Sequence, residues 1–200
     1  MASGAKDKWY KYLLLRRYAS LRSYVPETRL LDRHNFSKLL SKYVHVIVKP
    51  VWGSRGRGIF QVSWLGNHKY IVHYENKRVL VRGRTNTYHY IRRKIGNASY
   101  MVQRRITRPT INKRPFDMRV IIQRRTGSPV WVVTGKVIKV AGKGYIVSNN
   151  TRSKGTLLSF KSGIKQSSVR HLSASALESH INRVSIRSAK RLSNFFPGHR

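Results

Sequence analysis

Lys49 is the residue best placed to do chemistry in this chain, because a glycine-rich loop comes directly after it. Residues 46–60 read Val-Ile-Val-Lys-Pro-Val-Trp-Gly-Ser-Arg-Gly-Arg-Gly-Ile-Phe. An apolar strand over 44–48 delivers the lysine and breaks at Pro50. Gly53, Ser54, Gly56 and Gly58 then form a short loop, and a strand resumes at Ile59. Glycines let backbone N–H groups approach a ligand without Cβ interference. Successive exposed N–H groups make an anion-binding concavity. The pattern reads as a lid over nucleotide phosphates. It is not a Walker loop, because no Gly-Lys-Ser/Thr closes it and no helix succeeds it. Nor is it a dinucleotide-binding turn, since the loop leads into a strand. A plain basic hairpin turn fits the same residues.

Acid chemistry has few candidates. Lys and Arg total 42 against only 6 Asp and Glu, a formal charge of +36. The acids are Asp7, Glu27, Asp32, Glu75, Asp117 and Glu178. Such a balance attracts polyanions without sequence preference. The basic residues run from Lys6 to Arg200 among strand and helix patterns, which argues for a folded domain rather than a basic tail. No helix-turn-helix, zinc-finger or RRM signature accompanies them. There is no cysteine, so thiolate metal sites and disulfides are excluded. The histidines lack metal-ligand spacing. No apolar run is long enough for a transmembrane helix, and the N-terminus lacks a signal-peptide core.

The elements that must position these groups can be read from periodicity. A first helix is expected through Trp9, Tyr12 and Tyr18, stopped near Pro26. Asp32 should cap a second helix carrying Phe36, Leu39, Leu40 and Tyr43 on one face. Strands are expected over 44–48, 59–64, 70–74, 78–82 and 100–103, with Asn86 or Thr87 capping a short helix that ends at Gly96-Asn97. Beyond them, 116–123 and 130–140 alternate as strands. A last helix should start near Ser175, with Glu178 completing a capping box, and end at Pro197-Gly198.

Several of these pieces stand in a telling order. Lys49-Pro50 and the Gly-rich loop precede a hairpin and helix, then Val102-Gln103-Arg104-Arg105-Ile106, then Asp117-Met118-Arg119-Val120, then Ser148-Asn149. This order resembles the ATP-grasp superfamily, and most of all its YheC/YheD family of endospore coat-associated proteins. The resemblance covers essentially the whole chain. It implies an α+β, ATP-grasp-like fold in two lobes of mainly antiparallel sheet with flanking helices. Residues 1–43 would be a helical lead-in, 44–102 the lobe with the phosphate lid, and 103–200 a second lobe, incomplete at its C-terminus. It implies ATP as ligand and chemistry related to carboxylate–amine ligases, with an unidentified carboxylate or amine as co-substrate and a cytoplasmic or spore-associated location. A non-catalytic spore-coat protein and a basic nucleic-acid binder are the competing expectations.

By the same resemblance, Lys49 would contact ATP phosphates and Gly53, Ser54, Gly56 and Gly58 would form the lid. Gln103, Arg104 and Arg105 would lie on the adenine-binding hinge. Asp117 would sit near the nucleotide, and Arg119 would act in catalysis by facing phosphate. Lys139, Ser148 and Asn149 would line the site, as in the related ribosomal-protein glutamate ligases. The family holds Mg²⁺ through an Asp and a Glu-x-Asn. This chain has no Glu-x-Asn: Glu75-Asn76 lacks the spacer, and Glu178 to Asn182 is helical spacing. No metal ligand is therefore assigned, and the chain is expected to be a short form with little or no turnover.

Overall fold

The computed structural model describes residues 6–148 and 153–196. Asn149 and the expected helix end at Pro197-Gly198 lie outside the described residues.

Two antiparallel sheets face each other across a cleft. The first has six strands: β1 (Thr28–Leu30), β2 (His45–Pro50), β3 (Phe60–Trp64), β4 (Lys69–Tyr74), β5 (Lys77–Arg82) and β6 (Tyr100–Arg104), in the order β1-β6-β2-β3-β4-β5. On β2 the side chains alternate. Val46 and Val48 are fully buried against α3 (Arg33–Tyr43), while Ile47 and Lys49 point from the opposite face. Ile47 pairs with Gln103 and Lys49 with Met101, so this second face carries the polar groups of the cleft. The first sheet extends beyond 44–102 at both ends, because β1 pairs with β6 and β6 runs to Arg104.

Asp32 caps α3 as expected, its Oδ1 accepting from the Asn35 N–H at 2.6 Å. Asp7 caps α1 (Lys8–Arg17) in the same way, at 2.9 Å from the Tyr10 N–H. The short helix α2 (Ala19–Arg22) comes after α1. The cap of α4 (Arg84–Ile95) falls earlier than expected: Gly83, with φ +85, turns the chain directly out of β5. Asn86 and Thr87 are already inside the helix, and their side chains bond back to the Arg82 and Gly83 carbonyls.

The second sheet runs β10-β9-β8-β7, from β7 (Thr110–Ile111), β8 (Arg114–Gln123), β9 (Val132–Val140) and β10 (Thr156–Ser159). Phe116, Ile138 and Val140 pack with Ile111 and with Phe160 and Ile164 of α5 (Phe160–Lys165). Their neighbours Asp117, Arg119 and Lys139 project from the other face, towards the cleft. The last helix, α6 (Ala174–Ser193), is capped by Ser173 instead of Ser175, the Ser173 Oγ accepting from the Ala176 N–H at 3.3 Å. The expected capping box does not form, because the helix starts two residues earlier, and Glu178 instead meets Lys136 on β9 at 2.6 Å. No described helix is long and apolar enough to cross a membrane.

Candidate nucleotide-binding cleft

The cleft between the sheets holds a cavity of about 520 Å³, within the range of small-molecule sites. Lys49, Gly56, Gln103, Arg104, Arg105, Asp117, Arg119, Lys139 and Ser148 all line it. Segments far apart in sequence are thus brought to one place. Gly53, Ser54 and Gly58 line a neighbouring cavity of about 400 Å³ on the other side of the loop.

Lys49 is held by its register. Its Nζ donates to Gln103 Oε1 at 2.6 Å, and the Gln103 amide donates in turn to Thr28 Oγ1 at 2.8 Å. The Thr28 hydroxyl donates to the Pro26 carbonyl. This relay from β1 through β6 fixes both the amide and the ammonium it receives. Burial pushes the Lys49 ammonium down to about 8, with nearby Lys8 acting in the same direction. Lys8 itself donates to the Pro50 carbonyl at 3.1 Å and is lowered by burial too. A cation kept in this setting is one that an arriving anion would relieve.

The loop lies over the cavity because two glycines permit close contact. Gly58 has φ +66, and a Cβ there would come within 2.3 Å of the Tyr100 hydroxyl. At Gly56, φ +73, a Cβ would press on Val147 at 3.2 Å. The loop thus rests on β6 at one glycine and on Val147 at the other.

Residues 142–148 join the lobes. The Ile146 N–H donates to the Glu75 carbonyl at 3.3 Å, and His73 Nε2 lies 3.0 Å from the Gly144 carbonyl. Burial holds the His73 imidazole below its usual value. On the other side, Arg108 clasps the segment. Its guanidinium donates to the Ile146 carbonyl at 2.6 Å and to Asp117 Oδ2 at 3.2 Å. The Ser148 hydroxyl donates to the same carboxylate oxygen.

Arg104 and Arg105 contribute their backbones to the sheet. The Arg104 N–H donates to the Glu27 carbonyl at 2.9 Å and the Arg105 N–H to the His45 carbonyl at 3.2 Å. Arg105 also lines the cavity, whereas the Arg104 side chain turns to the opposite face, where it shares the side of Val46 and its guanidinium lies 5.6 Å from the Tyr43 ring centre. The Arg105 guanidinium is lowered by burial and by neighbouring Arg108. Arg55, Arg108, Gln61 and an apolar set, Ile47, Ile59, Ile106 and Ile146, were not anticipated. Ile47 and Gln61 carried a signal, since alternation puts them on the Lys49 face. Arg55 and Arg108 carried none in sequence.

The family model described as YheC/D like ATP-grasp matches residues 1–198. The chain belongs to this ATP-grasp family. The endospore coat-associated protein YheC of Bacillus subtilis (strain 168) is 23% identical over 150 residues, 73% of this chain. The chain spans 41% of that relative's length. Two facing antiparallel sheets with flanking helices give this ATP-grasp chain the α+β architecture that its sequence resemblance implied.

ATP and magnesium fit the cleft differently. Apolar side chains beside a cationic group suit a purine and its phosphates. Magnesium prefers several oxygen ligands in octahedral array. Among the described residues Asp117 is the only carboxylate lining the cavity, and its Oδ2 accepts from Arg108 and Ser148. The Gln103 amide oxygen is taken by Lys49. Among the described residues no three His, Asp or Glu side chains gather in one group. These donors do not fit magnesium by themselves.

Proposed function

We propose that the chain binds ATP in the cleft between its sheets, as an ATP-grasp module related to carboxylate–amine ligases. The observation that carries this reading is the convergence of Lys49, the lid glycine Gly56, Gln103, Arg119, Lys139 and Ser148 on one cavity. Adenine would lie against Ile47, Ile59, Ile106 and Ile146. The phosphates would lie towards Lys49 and the lid, with Arg119 and Lys139 on the opposite wall. Preorganised cations aimed at phosphate oxygens stabilise charge without reorganisation at the moment of reaction. In such ligases ATP phosphorylates a carboxylate, and an amine then displaces phosphate. Arg119 is the residue we assign to the charge that develops there.

A non-catalytic role is favoured by one observation, the engaged state of Asp117. Metal ions bridging phosphate oxygens supply much of the stabilisation in phosphoryl transfer. Without a donor set for them, the described residues bind nucleotide better than they turn it over. The relative's spore-coat association supports a spore-associated location. The +36 charge adds non-specific attraction for polyanions, which salt will suppress.

The test is calorimetric titration with ATP at about 0.5 M salt, where counterion-driven binding is weakened. Saturable binding that Lys49→Ala weakens supports the site. Binding lost equally with salt in both proteins removes it.

A further inference from the structure

We propose that the cleft takes the nucleoside triphosphate as a free polyanion, without a divalent cation, its own fixed cations occupying the electrostatic role of the metal. This rests on the reading that ATP binds here.

Three observations carry it. First, among the described residues the cavity offers few oxygen donors. Their one carboxylate, Asp117, has its Oδ2 taken by Arg108 and Ser148, and the Gln103 amide oxygen accepts from Lys49. A metal on Asp117 would have the Oδ1 oxygen alone, beside the Arg108 guanidinium that also holds the Ile146 carbonyl. Second, once Arg108 and Asp117 are set against each other, Lys49, Arg55, Arg105, Arg119 and Lys139 remain around the same space. A divalent cation among them meets repulsion from every side, strengthened by partial burial. A triphosphate stripped of its metal is the ligand with enough negative charge to match them. Third, the cations come from both walls and from the lid: Lys49 from β2, Arg119 and Lys139 from β8 and β9, and Arg55 from the loop above. Metal ions on a triphosphate bridge neighbouring phosphates, and groups converging from several sides can do the same for binding.

The geometry also explains why Lys49 tolerates partial burial beside Lys8. The relay through Gln103 and Thr28 holds the ammonium without neutralising it, since an amide carries no charge. That leaves the full positive charge for the ligand.

The experiment is ATP titration of the 200-residue chain in EDTA and again in excess magnesium, at equal ionic strength. We expect affinity in EDTA at least equal to that in magnesium. Affinity weaker by about tenfold or more in EDTA, a difference of about 1.4 kcal/mol, overturns the proposal while leaving ATP binding intact. Absence of binding in both buffers removes the ATP reading and this proposal with it. Manganese gives a second measurement. Adding protein to manganese–ATP should release the metal and raise the free-manganese resonance signal. A fall in that signal, as a ternary complex forms, overturns the proposal. Arg119→Gln should lower affinity more in EDTA than in magnesium; the reverse order counts against a metal-substituting role for the cations.

Discussion

The two lobes bury their helices to different depths. In the first, α3 sinks Phe36, Leu39 and Leu40 to between 0% and 2% exposure against β2, β3 and β6. In the second, α6 is nearly twice as long, yet none of its residues is buried. Between α6 and β8 lies a cavity of about 500 Å³ lined by Met118, Val120, Ile122, Trp131, Val184 and Leu192. Unfilled apolar space forfeits dispersion contacts. The first lobe is therefore the densely packed platform that holds Lys49 and Gln103. The second is a more openly packed wall, in contact with it through residues 142–148 and the glycine-rich loop.

Breaking the platform should give the largest effect. Leu39→Ala removes a fully buried side chain and should cost about 2–5 kcal/mol. Leu192→Ala, on the open side of α6, should cost about 1 kcal/mol or less. Denaturant midpoints compare the two directly. Equal losses would erase the distinction between the lobes.

The next effect is on binding. Lys49→Met should weaken ATP by roughly 1.5–3 kcal/mol, the range for a hydrogen bond to a charged group. The same substitution separates the site from the fold by pH. Lys49 has a folded value of about 8 against an ordinary 10.5. Between those values the unfolded chain holds more protons than the folded one, so stability without ligand should rise with pH. That rise should be smaller in Lys49→Met. Phosphate should pull the lysine back up, so ATP affinity should fall as pH climbs above about 8. A flat affinity from about pH 7 to about pH 10 would place the phosphates elsewhere.

The glycine-rich loop sharpens the comparison. Gly58→Ala meets both a left-handed backbone and the Tyr100 hydroxyl, whereas Gly66→Ala, φ +87, has nothing within 4 Å. The backbone term alone costs about 1–2 kcal/mol. The excess seen at Gly58 over Gly66 measures how tightly the loop is seated on Tyr100. A Tyr100→Phe background should recover part of that excess and none of the backbone term.

The smallest effect concerns Glu27, on the platform. Its carboxylate accepts from Lys42 at 2.8 Å and Tyr43 at 2.6 Å, with Arg29 at 3.2 Å, and these hold it down at about 2. Its stabilisation is present above pH 4.5 and fades as pH falls towards about 2. Glu27→Gln should cost about 1 kcal/mol at neutral pH, since such pairs are partly solvated. The difference from wild type should vanish in acid.

Much of the platform was legible because its signals are local. Alternation on β2 set Lys49 on the face opposite Val46 and Val48, and Asp32 and the 53–58 glycines stood where a cap and a loop were expected. Two helix starts slipped by a few residues: Ser173 capped α6 ahead of Ser175, leaving Glu178 to pair with Lys136, and Gly83, its N–H donating to the His68 carbonyl, turned the chain before Asn86 was reached. Short elements such as β1, β7, β10 and α5 carry too few residues to show a period. They exist because a neighbouring strand or core pairs with them.

The site divides in the same way. Residue types and spacing alone determined that an apolar strand leads to a lysine and a glycine-rich loop, that acids are scarce, and that Glu-x-Asn is missing. They also determined which family the chain resembles. Apart from Asp32, whose capping role was legible, only the tertiary structure decided what becomes of the scarce acids: Asp7 caps a helix, Glu27 and Glu178 enter ion pairs, and Asp117 accepts from Arg108 and Ser148. It alone brought Arg55 and Arg108 to the cleft and tied Lys49 through Gln103 to Thr28. Spacing along a chain reports which groups share a face of one element. Which groups meet across a cleft depends on strand pairings between residues as far apart as 28 and 103, which no local pattern records.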